Sequence, residues 1–164
     1  MTPGCRNHRA AGGGVGMCSL AAWLGLLTTA ATAPGQTAED FFDPSVVHEI
    51  RITINEEDWR ELRDRYRENI YFPGDFQWRG VNAYDVGVRS RGFGSRNPVK
   101  PGLKVDFNRY NAGQTFLGLK TLHLKNAAQD ASLLKERLSM EFFRLMGFPV
   151  PRVAHARVYI NGRY

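Results

Sequence analysis

The sequence predicts an α+β domain in which a mainly antiparallel sheet packs against two helices. Short apolar stretches of alternating polarity recur between residues 47 and 160, and turn residues separate them. Two other stretches carry apolar residues at helical spacing instead. Residues 36–164 are enough for one domain with one hydrophobic core, and the domain is predicted over residues 46–164.

The first strand and the first helix are predicted to follow one another directly. Residues 47–54 alternate, which places Ile50, Ile52 and Ile54 on one face of a strand. Asn55 is a suitable N-cap, and the acidic residues after it favour the start of a helix over residues 56–68. The apolar side of this helix is formed by Trp59, Leu62 and Tyr66.

The remaining elements follow from the same two periodicities. Pro73 and Gly74 predict a turn, and Arg79 and Gly80 predict a hairpin loop. A second helix is predicted over residues 130–146, with a stripe of Leu134, Leu138, Phe142 and Leu145. The other predicted strands are residues 75–78, 81–90, 103–108, 121–124 and 153–160. Asn161 and Gly162 predict a further hairpin turn, so the domain is expected to continue beyond Tyr164.

Residues 1–35 have the pattern of a secretory signal peptide. Arg6 and Arg9 precede an uncharged apolar run over residues 17–33, and small residues follow. Cleavage after Ala33 or after Gly35 fits equally, and an uncleaved anchor is the alternative. We therefore expect a protein that is secreted or resides in the cell envelope or periplasm, with no membrane attachment after cleavage. Residues 36–45 are expected to form a flexible lead-in.

Loss of this leader changes the charge and cysteine content. The formal charge falls from +6 to +4, because two arginines and no acidic residues leave. Cys5 and Cys18 leave too, so the mature domain has no thiol chemistry. A charge of +4 gives no reason to expect nucleic-acid binding.

Residues 87–107 carry five cationic side chains and are the first candidate site. Strand alternation places Arg89 and Arg91 on one face, and Lys104 of the next strand on that face as well. Between the strands, the amides of residues 92–95 can form an anion nest, to which Arg96 and Lys100 add donors. A solvated, charged hairpin is the alternative, and neither a dinucleotide-binding nor a P-loop motif is complete.

The second candidate is the stretch over residues 125–130. Asp130 is either an N-cap for the second helix or, together with Asn126, part of the mouth of a cleft beside the basic strands. His48, His123 and His155 are isolated from one another, so no metal site is predicted.

Three stretches of the chain together resemble the spore coat protein H (CotH) kinase family. They are FDPSVVHEIRITI, RSRGFGSRNPVKPGLKVDF and the segment from FLGLKTLHLK to NGRY, which cover about residues 42–164. The resemblance lies in an RGxxSR loop, a lysine-rich strand ending in Phe107, a DxSxLxxxL helix and an NGxY hairpin. Asp130, Ser132 and Lys135 match the start of the family's helix, and Asn161, Gly162 and Tyr164 match its hairpin.

This resemblance implies the N-lobe of an atypical protein-kinase-like fold. It implies ATP with Mg or another divalent metal, and phosphoryl transfer to Ser or Thr of a secreted or cell-envelope protein. The residues expected to bind the cofactor are Arg91, Gly92, Gly94, Ser95, Arg96, Lys100, Lys104 and Asp130.

The resemblance also places the catalytic residues beyond Tyr164, so residues 1–164 alone are expected to be inactive. An exported structural or protein-interaction module that keeps the kinase-like fold without catalysis is the alternative function. A carbohydrate-binding module that uses the aromatic residues is a third.

Overall fold

The computed structural model describes residues 35–164. The signal peptide predicted over residues 1–35 therefore lies outside the described residues, apart from its last position. Among the described helices, none has the length and apolar character that crossing a membrane requires.

A six-stranded sheet organises the described residues, and the predicted α+β class is confirmed. The strands lie in the order β5-β4-β3-β2-β1-β6, and neighbours are antiparallel except for the parallel pair of β1 and β6. The strands are β1 Val47–Ile54, β2 Phe72–Trp78, β3 Val81–Arg91, β4 Gly102–Asp106, β5 Thr121–Leu124 and β6 His155–Ile160. The helices are α1 Ala38–Phe41, α2 Glu56–Asp64 and α3 Lys135–Leu145.

The core lies on one face of this sheet and is rich in aromatic side chains. Strand β1 alternates between exposed and buried residues along its whole length, which confirms the predicted inward face. Phe76 and Phe107 are fully buried and both pack against Phe116, at ring-centroid distances of 4.8 and 5.2 Å. The bulk of the apolar side chains therefore lies above β1 to β4, and the opposite face of these strands is free to carry charge.

The segment before β1 corrects the prediction of a flexible lead-in over residues 36–45. Thr37 and Asp40 form a capping box that starts helix α1. Phe41, at the end of this helix, is buried against Trp78 with ring centroids 5.0 Å apart. The segment belongs to the domain because it contributes an aromatic side chain to the core.

Two predicted boundaries between residues 56 and 78 were wrong. Helix α2 begins at Glu56 with Asn55 as its N-cap, as predicted, but it ends at Asp64. Pro73 and Gly74 lie inside strand β2, and Gly74 pairs with Ile54 on β1. A Cβ at Gly74 would lie 2.8 Å from the carbonyl oxygen of Thr53, so this glycine permits close strand approach rather than a turn.

The second predicted helix differs more strongly from the prediction. Helix α3 begins at Lys135 rather than at residue 130, because Leu133 has a φ of 59° and interrupts helical geometry. Its apolar stripe is exposed: Leu138 retains 63% and Phe142 60% of their accessible surface. Within residues 35–164, α3 buries no residue, so the prediction of a second packing helix is not met there.

The turn predicted at Asn161 and Gly162 is confirmed. Both residues have positive φ, 50° and 77°, and the flanking Ile160 and Arg163 pair across the turn. The Asn161 side chain accepts a hydrogen bond from the Ile54 amide and donates one to the Ile54 carbonyl, both at 2.9 Å. The Asn161 side chain therefore provides the hydrogen bonds to the backbone of Ile54, the last residue of β1, just after β6 has ended.

Candidate functional site

Three basic side chains lie side by side on the face of the sheet opposite the core. Arg89 on β3 pairs with Lys104 on β4, and Lys104 pairs with His123 on β5. Directly opposite residues of antiparallel strands have Cβ atoms about 5 Å apart. The predicted convergence of Arg89, Arg91 and Lys104 is confirmed by this register. We call Arg89, Arg91, Lys104, His123 and Lys125 the cationic face.

The protonation of His123 reports how strongly this face is charged. Burial lowers the pKa of the imidazole, and the positive charges of Arg91, Lys104, Arg89 and Lys125 lower the pKa further. Four cations, from β3, β4 and the residue after β5, therefore act together at this position.

An aromatic ring holds the basic side chains in place. The charged groups of Arg89, Lys104 and Arg109 lie 5.4, 5.8 and 4.7 Å from the centroid of the Tyr71 ring. The ammonium of Lys104 is also 3.7 Å from the carboxylate of Asp106. Tyr71 therefore arranges the cationic face from the side of β2.

Gly87 creates the space for this aromatic contact. A Cβ at Gly87 would lie 2.6 Å from Cγ of Arg109 and 2.9 Å from Cδ1 of Tyr71. A larger residue there would displace both side chains.

The loop at residues 92–101 turns tightly at its first glycine. Gly92 has a φ of 123°, and a Cβ there would lie 2.7 Å from Oγ of Ser95. Within the described chain, the amides of Phe93, Gly94 and Ser95 donate no hydrogen bond to another protein group. Phe93 is fully exposed beside them and lines a shallow groove of about 430 Å³ together with Tyr66 and Arg67.

The structure gives Arg96 internal partners. Its guanidinium donates to the carbonyl of Gly92 at 2.7 Å and to the Asn69 side chain at 2.6 Å. It also donates to the carbonyls of Tyr66 and Glu68. Arg96, predicted as a phosphate ligand, is placed as a positioning residue that joins the loop to the segment between α2 and β2.

Asn126 holds the other side of the same loop. Its buried amide donates to the carbonyls of Ser95 and Lys100, both at 2.8 Å. The Lys100 side chain is exposed at the loop surface, and its backbone amide donates to the Asn97 side chain at 3.0 Å. The loop is therefore fixed at both ends, while Lys100 remains accessible.

Asp130 organises the start of α3. Its carboxylate accepts hydrogen bonds from the Ser132 hydroxyl at 2.6 Å and from the Lys135 amide at 2.8 Å. The hydrogen bond from Ser132 is the main reason that the pKa of Asp130 is below its usual value. The prediction of Asp130 as the N-cap was wrong, because the N-cap of α3 is Leu134, but its carboxylate still accepts a hydrogen bond from the first amide of that helix.

An ion pair connects α3 to the edge of the cationic face. The ammonium of Lys125, directly after β5, contacts the carboxylate of Glu136 in the first turn of α3. The Arg137 guanidinium donates to the carbonyl of Pro44 at 2.7 Å. Polar contacts rather than apolar packing thus attach α3 to the rest of the domain.

The donor set of the cationic face suits phosphate groups. Guanidinium and ammonium groups bind phosphate oxygens, and the amides of residues 93–95, which follow Arg91 closely in the chain, donate to no protein group in the described chain. In the described part of the chain, no group of three or more His, Cys, Asp or Glu side chains is placed to hold a metal ion.

Comparisons with known proteins identify the family. Residues 88–164 match the family model described as CotH kinase protein. The chain belongs to the CotH family. This CotH segment runs from Val88 in β3 to the end of the turn after β6, and so contains the whole cationic face.

A curated relative extends the match. The CotH-family chain is 30% identical over 115 residues to the inner spore coat protein H of Bacillus subtilis (strain 168). The alignment covers 69% of this chain and 30% of the relative, so the chain spans about 30% of that protein's length.

Sequence reasoning missed two members of the cationic face in this CotH chain, His123 and Lys125. The signal was present in the alternation of β5: with Leu122 and Leu124 directed to the core, residues 123 and 125 lie on the same side as Lys104. His123 was considered only as a possible metal ligand, so its cationic neighbours on β3 and β4 were not taken into account.

Proposed function

We propose that the cationic face binds the phosphates of ATP, and that this chain is the nucleotide-binding portion of a CotH-type protein kinase. The observation that carries the proposal is the row of Arg89, Lys104 and His123 across three strands, flanked by Arg91 and Lys125. Like charges in adjacent cross-strand positions destabilise a sheet. Such a row is best explained by an anion that offsets its charge.

The contacts suggest which of the predicted residues would bind phosphate directly and which would position others. Arg91 and Lys104 would bind phosphate oxygens from the sheet, and Lys100 with the amides of Gly94 and Ser95 would bind them from the loop. Arg96 and Asn126 would hold the loop in position next to the sheet through their hydrogen bonds to its carbonyls. Asp130 would act indirectly, by positioning α3.

The ion pair of Lys125 and Glu136 fits the same proposal. Protein kinases use a lysine on the sheet that is paired with a glutamate on a helix to position the ATP phosphates. Here the lysine follows β5 and the glutamate lies in α3. On this basis we infer that residues 46–164 act as a kinase N-lobe-like unit.

ATP with Mg or another divalent metal would supply the phosphoryl group, with Ser or Thr of a secreted or cell-envelope protein as acceptor. These are activities proposed for the whole protein, because the chain spans about 30% of its relative's length. A location in a coat or cell envelope is proposed from the printed name of that relative, a spore coat protein.

A non-catalytic, protein-interacting role is the second candidate, and helix α3 favours it. The exposed Leu138, Phe142 and Leu145 form an apolar stripe of the kind found at protein interfaces. In that case the domain would bind a coat or surface protein without using ATP.

Calorimetric titration of the full chain with MgATP tests the proposal. Arg91→Gln and Lys104→Gln should each weaken MgATP binding about tenfold or more, because each removes a charge-assisted hydrogen bond worth about 1.5–3 kcal/mol. Arg60→Gln on α2 removes an exposed charge away from the face and should leave the affinity unchanged.

The binding should also weaken as salt rises, since exposed cations provide much of the attraction. Absence of MgATP binding to the full chain, or equal affinities for all three variants, would contradict the proposed phosphate site.

A further inference from the structure

His123 occupies the end of the cationic row, but it is not among the residues to which the proposed function gives an individual phosphate contact. It lies directly opposite Lys104, with Lys125 two residues further along the chain. Its side chain is on the exposed face of β5, opposite the buried Leu122. An anion bound to Arg91 and Lys104 would therefore lie within reach of the imidazole.

Charged groups from four elements determine the protonation of this imidazole. Arg89 and Arg91 come from β3, Lys104 and Asp106 from β4, Lys125 from the end of β5 and Glu136 from α3. The carboxylate of Asp106 is close to Lys104, and that of Glu136 contacts Lys125. Each acid therefore contacts one of the cations, and the charges that act on the imidazole are those of Arg91, Lys104, Arg89 and Lys125.

We propose that His123 is a further phosphate-binding residue of the cationic face, and that it takes up a proton from solvent when the phosphates of MgATP bind. This inference rests on the proposed function. A neutral imidazole limits repulsion among the four cations while the face is empty of ligand. Once a polyanion offsets their charge, the imidazolium becomes favourable and donates a hydrogen bond to a phosphate oxygen.

The direction of the pH dependence follows from linkage. Without ligand, the pKa of His123 lies below its ordinary value of 6.5. Bound phosphates raise this pKa. At a pH between the pKa of His123 in the free protein and its pKa in the complex, the complex therefore binds more protons than the free protein. MgATP affinity should therefore rise as pH falls through this window, by about tenfold for each unit of difference.

Histidine NMR of the full chain measures the first part of this prediction. The midpoint of the His123 titration should lie below 6.5 without ligand and rise by about one unit or more in MgATP. His155 is the internal control, because its ring is hydrogen bonded to the Leu133 carbonyl and not part of the face. His123→Gln assigns the signal.

Calorimetry with MgATP at about pH 8 and about pH 6 measures the second part. Wild type should bind about tenfold more tightly at the lower pH, whereas His123→Gln should change less than about twofold. Ionisation of MgATP affects the affinity of both proteins equally. The difference between their pH dependences therefore measures the contribution of His123. His123→Lys carries a permanent charge and should show the same small pH dependence as His123→Gln, which comes from MgATP alone.

The outcomes separate the two proposals. MgATP binding with an unchanged His123 midpoint, or with equal pH dependence in wild type and His123→Gln, overturns the role of His123 and leaves the phosphate site intact. If wild type binds no MgATP at either pH, the proposed function fails and this inference fails with it.

Discussion

The two faces of strands β3 and β4 are built from alternating residues of the same segments but have opposite character. On the core face, Val86, Val88 and Val105 are fully buried. On the other face, Arg89 and Lys104 lie opposite each other and remain partly exposed. The same two strands thus carry an apolar core on one face and a cluster of like charges on the other.

This difference indicates that different residues of the same strands determine the stability of the domain and its binding of anions. Apolar burial contributes about 25 cal/mol per Å² and resides on the core face. The opposed cations of the other face work against folding, since like charges in cross-strand pairs are destabilising. Variants on the core face should therefore change stability, and variants on the cationic face should change anion binding.

The largest expected effect is that of Phe76→Ala on the core face. Phe76 is fully buried and packs edge-on against the rings of Phe107 and Phe116. Removing the ring leaves a cavity and should lower the free energy of unfolding by about 3–5 kcal/mol, measured by urea denaturation.

Phe93→Ala is the matched control for this prediction. Phe93 is fully exposed at the tip of the loop, so the same substitution should change stability by less than about 0.5 kcal/mol. Similar losses for the two variants would mean that the loop is packed in solution and that the division between the faces is incorrect.

A smaller effect is expected for Asn126→Ala, which tests the connection between core and loop. The variant removes the two part-buried hydrogen bonds that the Asn126 amide donates to the carbonyls of Ser95 and Lys100. It should cost about 1–3 kcal/mol of stability, because those carbonyls lose partners they cannot fully replace. MgATP affinity should fall as well, since the loop amides are no longer fixed.

Asn108→Ala provides the comparison, because Asn108 is exposed and follows β4 outside the cationic face. Thermal unfolding and calorimetry of both variants check the prediction. A loss of stability in Asn126→Ala with unchanged MgATP affinity would show that the loop does not contribute to binding.

Local periodicity predicted the strands of this molecule well where one side of a strand is buried and the other is not, as along the whole of β1. The alternation in β1 identified its inward isoleucines, and that in β3 and β4 identified the shared face of Arg89 and Lys104. Turn residues with positive φ located the loops at Arg79 and at Asn161.

Contacts between distant segments could not be predicted in this way. Phe41 is buried by residues far along the chain, and nothing in its local pattern shows this. The stripe on α3 has the same helical spacing as a buried face, but spacing does not specify what covers it. Arg96 is similar, because charge alone does not distinguish a ligand-binding arginine from one bonded to backbone carbonyls.

The smallest expected effect concerns the one polar side chain among the buried residues at the end of β3. Ser90 pairs with Leu103 on the core face, and in the described chain its hydroxyl is buried without a hydrogen-bond partner. A buried hydroxyl that lacks a partner costs about 1–3 kcal/mol. Ser90→Ala should therefore be neutral or raise the free energy of unfolding by about 1 kcal/mol in urea denaturation.

This variant sharpens the contrast between the faces, because Ser90 is flanked by Arg89 and Arg91 on the opposite side. MgATP affinity should be unchanged in Ser90→Ala if the faces act independently. Ser139→Ala makes the same change on the exposed side of α3, and we expect a shift within about 0.5 kcal/mol there. A clear loss of stability in Ser90→Ala would instead show that the hydroxyl is hydrogen bonded in solution, which would place a polar contact within the core face.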